Sequence, residues 1–130
     1  MNTALFRVIA DRIEENPESY NQQKLCGSPC CVFGHAALLT GIVLNSGDSS
    51  KIKNLIVSIQ VALGINRDDG EALFAPSWPR SWFERAGLEL GEHRYYRDPY
   101  AYPLPHEAAI ILRTMADQGS VQPKLSLIHI

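Results

Sequence analysis

Apolar residues near the start of the chain recur at helical spacing. These residues are Leu5, Val8, Ile9 and Ile13. The pattern predicts a first helix with one apolar face. Thr3 is placed to cap this helix, and Asn16 followed by Pro17 ends it, because proline cannot continue a helix.

Later stretches predict three more helices and one short helical turn. One amphipathic stripe ends at Gly64 and consists of Ile52, Leu55, Ile56, Ile59, Ala62 and Leu63. Residues Arg67–Phe74 can form a short helix, and the proline-rich stretch 76–83 precedes a helical turn near 84–86. A closing helix starts at Pro105 and stops at Gly119. Its shared face consists of Ala108, Ile111, Leu112 and Met115.

The segment 29–43 is apolar nearly all round, which is typical of a helix buried on most sides. Ser28 is placed to cap it, and Pro29 suits the first helical position. Gly34 and Gly41 offer positions where another helix can approach closely. We therefore expect this helix to form the centre of the fold.

The pattern as a whole predicts a compact all-α domain of about five helices around the helix at 29–43. Sustained period-two alternation is missing, and a short hairpin near 88–102 is the one expected departure from the helical pattern. We expect one domain over residues 1–122. Residues 123–130, which end in the apolar string LSLIHI, are expected to form a disordered tail or a non-native extension.

Composition narrows the classes of protein. The chain has 130 residues, 45% hydrophobic and 20% charged, with a formal net charge of −2. This composition is typical of a packed domain, and the charge gives no general attraction for nucleic acid, which we do not expect as a partner. The N-terminal residues do not resemble a secretory signal, and the longest apolar stretch is shorter than the roughly 18 residues of a membrane helix. We expect a cytoplasmic location and no membrane contact.

Three segments, in order, resemble a family of small uncharacterised bacterial and phage-borne proteins. Residues Cys26–Ala36 (CGSPCCVFGHA) resemble that family's motif of Cys-Gly-Thr, two variable residues, Cys, two variable residues, Gly, an aromatic residue or His, and Ala. Residues Leu63–Pro79 resemble its Leu-Gly, Leu-Phe and Trp-Pro landmarks, and Leu104–Val121 resemble its closing helix. Ser28 stands where the family has Thr, and Cys30 is an additional cysteine. The resemblance implies a bacterial or mobile-element origin and no particular reaction.

The three cysteines, Cys26, Cys30 and Cys31, allow a packing interpretation first. A cysteine without a disulfide behaves as a small buried hydrophobe, and a disulfide framework is not expected in a reducing compartment. In this interpretation His35 is a core histidine whose ring is hydrogen-bonded to a backbone carbonyl.

A metal interpretation uses Cys31 and His35, which are four residues apart and so share a helix face, with Cys26 folding back to join them. A structural zinc site has four ligands, and these residues supply three. A zinc-stabilised module is therefore kept as an alternative, while the main expectation is that no cofactor is bound.

A nucleophile interpretation rests on Gln23–Phe33 (QKLCGSPCCVF), which resembles the papain-like cysteine protease signature. It lacks the Trp after the cysteine and has Pro29 inserted. Cys30 or Cys31 at a helix N-terminus would gain acidity from the helix dipole. In this interpretation the base is His93 or His106, and the residue that orients the base is Asp98.

One further segment suits recognition. Residues 92–103 (EHRYYRDPYAYP) mix arginines with tyrosines, residue types that anchor protein interfaces. The candidate binding residues are Arg94, Tyr95, Tyr96, Arg97 and Tyr100. Taken together, the sequence favours a small accessory or interaction protein without catalytic activity, with a thiol-dependent hydrolase and a zinc-stabilised module as the alternatives.

Overall fold

A computed structural model describes residues 1–23, 31–41, 49–90, 95–97 and 99–122, with the backbone alone described at 49–53 and 95–97. Helices dominate, which confirms the all-α prediction. The described helices are α1 (Thr3–Glu15), a 3-10 turn (Pro17–Ser19), α2 (Val32–Thr40), α3 (Ser49–Leu63), α4 (Arg67–Phe74), α5 (Arg80–Arg85) and α6 (Pro105–Gln118). The strands are β1 (Trp78–Pro79), β2 (Tyr95–Arg97) and β3 (Tyr100–Ala101).

Helices α1 and α6 form the main helix pair. The side chains of α1 that are buried in the core are Phe6, Ile9, Ala10 and Ile13. Those of α6 include the four predicted residues Ala108, Ile111, Leu112 and Met115. On the solvent side, Arg113 of α6 pairs with Asp11 at 2.8 Å and with Glu14, so that α1 and α6 are also joined by charge.

Two details predicted for α1 are wrong. Asn2, not Thr3, caps the helix, since its side-chain oxygen accepts the Leu5 amide at 3.1 Å. The Asn2 side chain also donates to the Ala62 carbonyl at 3.1 Å, which ties the start of α1 to the end of α3. Val8 is 47% exposed and Phe6 is fully buried, because packing against α2 and α6 rotates the buried face by part of a turn.

Helix α2 is central, as predicted, but it is shorter than the predicted segment. Every side chain from Val32 to Ala37 is buried. The helix does not begin at Pro29, because Cys31 is extended, with φ −78° and ψ −178°, and residues 24–30 lie outside the described residues. It ends at Gly41, whose φ of +76° is a left-handed helix stop. A Cβ at Gly41 would meet no described residue within 4 Å, so the predicted close approach of another helix is not found at this glycine among the described helices.

The second half of the chain closes the core. Helix α4 has the predicted bounds, while α5 spans more than the predicted helical turn. Trp78 and Trp82 are fully buried with ring centroids 5.4 Å apart, and the Trp78 indole donates to the Leu73 carbonyl at 3.0 Å. Both tryptophans therefore close the core beside the proline turn.

The predicted hairpin is present as β2 and β3, which pair antiparallel with Tyr95 opposite Ala101. The third strand, β1, was not predicted and pairs with β3 through Trp78 and Ala101. A strand of two residues is too short to show the alternation of apolar and polar positions that predicts a strand. Pro79 is tolerated in β1 because this strand lies at the edge of the sheet. Among the described helices, none is long and apolar enough to cross a membrane.

Candidate functional site: the cleft beside the cysteine segment

Of the three cysteines, the structure describes Cys31 alone, and Cys26 and Cys30 lie outside the described residues. Cys31 is 2% exposed and is the last extended residue before α2. The burial agrees with the packing interpretation at this position. It does not suit attack on an external substrate, because a nucleophile must reach the substrate from a solvent-open site.

His35 is a core histidine, and the predicted bond to a backbone carbonyl is present. Its ring is fully buried, and Nε2 donates to the Ser19 carbonyl at 3.0 Å. Burial lowers the pKa of His35, the Ser19 bond acts in the opposite direction, and the positive charge of Arg12 lowers it slightly. Nδ1 has no hydrogen-bond partner within the described part of the chain. The imidazole is therefore held neutral.

Of the other proposed catalytic residues, the structure describes His106. His106 lies exposed on the first turn of α6, while Cys31 is buried at the start of α2. His93 and Asp98 lie outside the described residues. Across the described ranges, no group of three His, Cys, Asp or Glu side chains is placed to hold a metal ion. Cys31 and His35 share the start of α2, and the third candidate ligand, Cys26, is not described.

Gln22, which no sequence pattern singled out, makes four hydrogen bonds. Its amide nitrogen donates to the Leu73 and Ala75 carbonyls, both at 2.9 Å. Its amide oxygen accepts the Tyr20 hydroxyl at 2.7 Å and the Val32 amide at 3.3 Å. Gln22 is 4% exposed, so these bonds form in a low-dielectric interior where an unmade bond is costly.

Gln22 also joins the two ends of the cysteine segment. The described residues on either side of this segment are Gln23 and Cys31. The hydrogen bond from the Val32 amide to the Gln22 side chain connects these two sides. The bond satisfies one of the amides that a helix start leaves without an internal partner. Helix α2 thus begins where a distant glutamine accepts its first amide, instead of at a local Ser-Pro cap.

Tyr20 lies close to two other acidic side chains, Cys31 and Glu107, beside this network. The residue is 5% exposed, and burial is the main cause of a pKa well above its usual value. Negative charge on Cys31 and Glu107 acts in the same direction. Glu107 is itself 4% exposed and accepts the Leu104 amide at 2.9 Å. The Tyr20 phenol therefore stays neutral and acts as a hydrogen-bond donor.

A cleft of about 220 Å³ opens on the solvent side of Tyr20 and Gln22. Its lining residues come from two distant segments and are Tyr20, Asn21, Gln22, Gln23, Tyr102, Pro103, Leu104 and Pro105. None of these described lining residues is charged. The surface combines aromatic rings, prolines and one leucine with side-chain amides. The volume suits a few residues of an extended chain more than a large cofactor.

Comparisons with known protein families, curated proteins and solved structures find no match.

The predicted arginine and tyrosine surface lies next to this cleft in sequence. Tyr95, Tyr96 and Arg97 form β2, and Arg94 lies outside the described residues. Tyr100 in β3 is 45% exposed, and the cleft lining begins two residues later at Tyr102. The hairpin thus leads directly into one wall of the cleft. A signal for the opposite wall, residues 20–23, is missing from the sequence, because this stretch reads as an ordinary polar connector.

Proposed function

We propose that this protein is a small cytoplasmic interaction domain of a bacterium or mobile element, without catalytic activity. Its cleft binds an uncharged, extended segment of a partner protein. The observation that carries the proposal is the cleft lined by Tyr20, Tyr102 and Leu104 together with side-chain amides, with no charged group among its described lining residues.

The lining chemistry supports a peptide in particular. Gln23 is exposed at the rim, so its amide can donate to a peptide carbonyl and accept from a peptide amide. Tyr102 and the two prolines supply flat apolar surface, the kind on which extended and proline-rich segments pack. Because the described part of the wall carries no charged group, a charged peptide side chain would lose hydration there without gaining a partner from these residues.

The exposed side chains beside the cleft add apolar area for such a segment. Leu104 is 44% exposed and is not among the side chains packed against the core. Exposed leucine and tyrosine next to a cleft are the residues that a partner would cover first. The thiol-hydrolase alternative gains no comparable support, since the described cysteine is buried.

The test is selection of peptides from a displayed random library against the full chain, followed by fluorescence anisotropy with the selected peptide. Leu104→Ser is the informative variant. Leu104 occupies the N-cap position of α6 without a side-chain bond, and Glu107 already accepts its amide. Serine would complete a capping box, so the variant should fold at least as well as wild type while losing apolar contact with the peptide.

We expect Leu104→Ser to weaken peptide binding about tenfold, the equivalent of about 1.4 kcal/mol. Ile110→Ser is the matched control, since Ile110 is 36% exposed on the same helix and does not line the cleft. Equal affinity for both variants, or no enrichment of uncharged peptides, would contradict the proposal. Rapid alkylation of one cysteine well below pH 8.5 by a neutral reagent would instead favour the hydrolase.

A further inference from the structure

A second site lies where α5 meets the end of α6, away from the residues that line the cleft. Arg85 is the last residue of α5, and its Nη2 donates to the Val121 carbonyl at 2.7 Å. Val121 is fully buried just beyond the helix stop at Gly119. Trp82 in α5 also donates to the Gln122 side chain at 3.4 Å. These bonds hold residues 121–122 against α5.

Three polar atoms at this junction are left unsatisfied. Nε and Nη1 of Arg85 are buried and have no hydrogen-bond partner in the part of the chain that the structure describes. The same holds for Oγ of Ser120, the residue before the Val121 carbonyl that Arg85 binds. Arg85 and the residue that precedes its carbonyl partner thus both carry buried donors without a described acceptor, and native proteins rarely leave such donors unsatisfied.

No carboxylate among the described residues pairs with the charge of Arg85. The described ion pairs involve Arg7, Arg67 and Arg113, and none includes Arg85. Burial lowers the pKa of Arg85, and no described carboxylate acts in the opposite direction. The guanidinium nevertheless stays charged, because its pKa remains far above neutral pH. A partly buried cation of this kind is stabilised by an anion that brings acceptor atoms with it.

The shape of the guanidinium decides what fits. Its five N–H groups lie in one plane, four of them in parallel pairs along two edges, and each pair includes an N–H of Nη2. The Val121 carbonyl occupies one N–H of Nη2. Whichever edge that carbonyl takes, the other edge keeps two parallel N–H groups, the geometry that carboxylate and phosphate oxygens bind in pairs.

We propose that Arg85 and Ser120 form a binding site for a small oxyanion, a carboxylate or a phosphate group. Arg85 binds two oxygens through its remaining edge, and the Ser120 hydroxyl donates to the anion as well.

The test measures the melting temperature of the full chain in sodium phosphate, sodium acetate and sodium chloride at matched ionic strength. At about ten times the dissociation constant of the bound anion, we expect a rise of about 3 °C or more over chloride. A rise in phosphate alone identifies a phosphate group, and a similar rise in acetate identifies a carboxylate. Equal melting temperatures in all three salts would overturn the proposal.

Variants tie the effect to the site. Arg85→Lys keeps the charge but loses the planar fork, and it should lose most of the anion-specific rise. Arg67→Lys is the matched control and should keep all of it, because Arg67 pairs with Glu71 on the exposed face of α4. An unchanged rise in Arg85→Lys would also overturn the proposal.

A spectroscopic measurement covers the case in which Arg85→Lys folds poorly. The Nε–H signal of Arg85 in the wild-type chain is followed by NMR during titration with inorganic phosphate and, separately, acetate. We expect a saturable shift of this signal with at least one of the two anions. A signal that stays fixed with both would show that water alone satisfies the buried donors, which contradicts the proposal.

Discussion

Replacing Gln22 with alanine should destabilise the protein far more than the same change at its neighbour Gln23. Gln22 is 4% exposed and makes four hydrogen bonds, whereas Gln23 is exposed at the rim of the cleft. The change removes the acceptor for the Tyr20 hydroxyl and for the Val32 amide, both of which are buried. The Leu73 carbonyl is less affected, because it also accepts the Trp78 indole.

The magnitude follows from the two stranded donors. Each buried donor left without an acceptor costs about 1–3 kcal/mol. Two such groups, together with the space left by the side chain, give about 3 kcal/mol or more for Gln22→Ala. This is a large part of the roughly 5–15 kcal/mol that stabilises a typical domain, and it corresponds to a fall in melting temperature of about 10 °C. Gln23→Ala should change stability by less than about 0.5 kcal/mol.

Urea unfolding followed by tryptophan fluorescence measures the difference, since Trp78 and Trp82 are both fully buried. The midpoint should fall for Gln22→Ala with an unchanged slope. Gln22→Met fills the space without an acceptor, so it separates the hydrogen bonds from the cavity and should still cost about 2 kcal/mol. Similar midpoints for Gln22→Ala and Gln23→Ala would refute the reasoning, because water from the cleft would then be replacing the amide.

Two further changes test other parts of the fold. Burial lowers the pKa of His35 from its ordinary 6.5, so the unfolded chain binds more protons just below that pH. The free energy of unfolding should therefore fall by up to about 1 kcal/mol per pH unit as the pH drops below 6.5 toward the pKa of His35 in the folded protein. In the His35→Gln variant, the free energies of unfolding measured by denaturation at pH 5.5 and 7.5 should differ less than in the wild type. At Gly70, a Cβ would lie 2.7 Å from Cγ of Gln60, which is 7% exposed. Gly70→Ala should thus destabilise the protein by about 1–2 kcal/mol, although alanine has the better helix propensity. Adding Gln60→Ala to the same chain should reverse much of this loss. A Gly70→Ala variant more stable than wild type would instead show that the Gln60 side chain moves aside.

Local signals determined the helices that the sequence predicted well. The stops at Gly64 and Gly119 were placed correctly, because these glycines adopt φ of +67° and +69°, a conformation that other residues rarely take. The start of α6 at Pro105 and the bounds of α4 were also predicted, because a proline fits the first turn and Asn66 caps α4. Each of these features is decided within a few residues of chain.

The structural features that were predicted wrongly, or not predicted, depend on residues far apart in the sequence. Helix α2 begins at Val32 because Gln22 accepts its amide, and α1 is capped by an asparagine that also binds the end of α3. A glutamine in a polar connector carries no mark of burial, so the role of Gln22 could not be predicted from neighbouring residues.

The candidate site shows the same division. The sequence singled out the cysteines and the tyrosines as chemically distinctive, and it correctly expected a histidine ring bound to a backbone carbonyl. Only the tertiary structure brings residues 20–23 beside residues 102–105 to form the cleft, and only it places Arg85 at the Val121 carbonyl. Helical periodicity reports which face of an element is buried, whereas a site is made by the packing of elements far apart in sequence, and that packing leaves no local pattern.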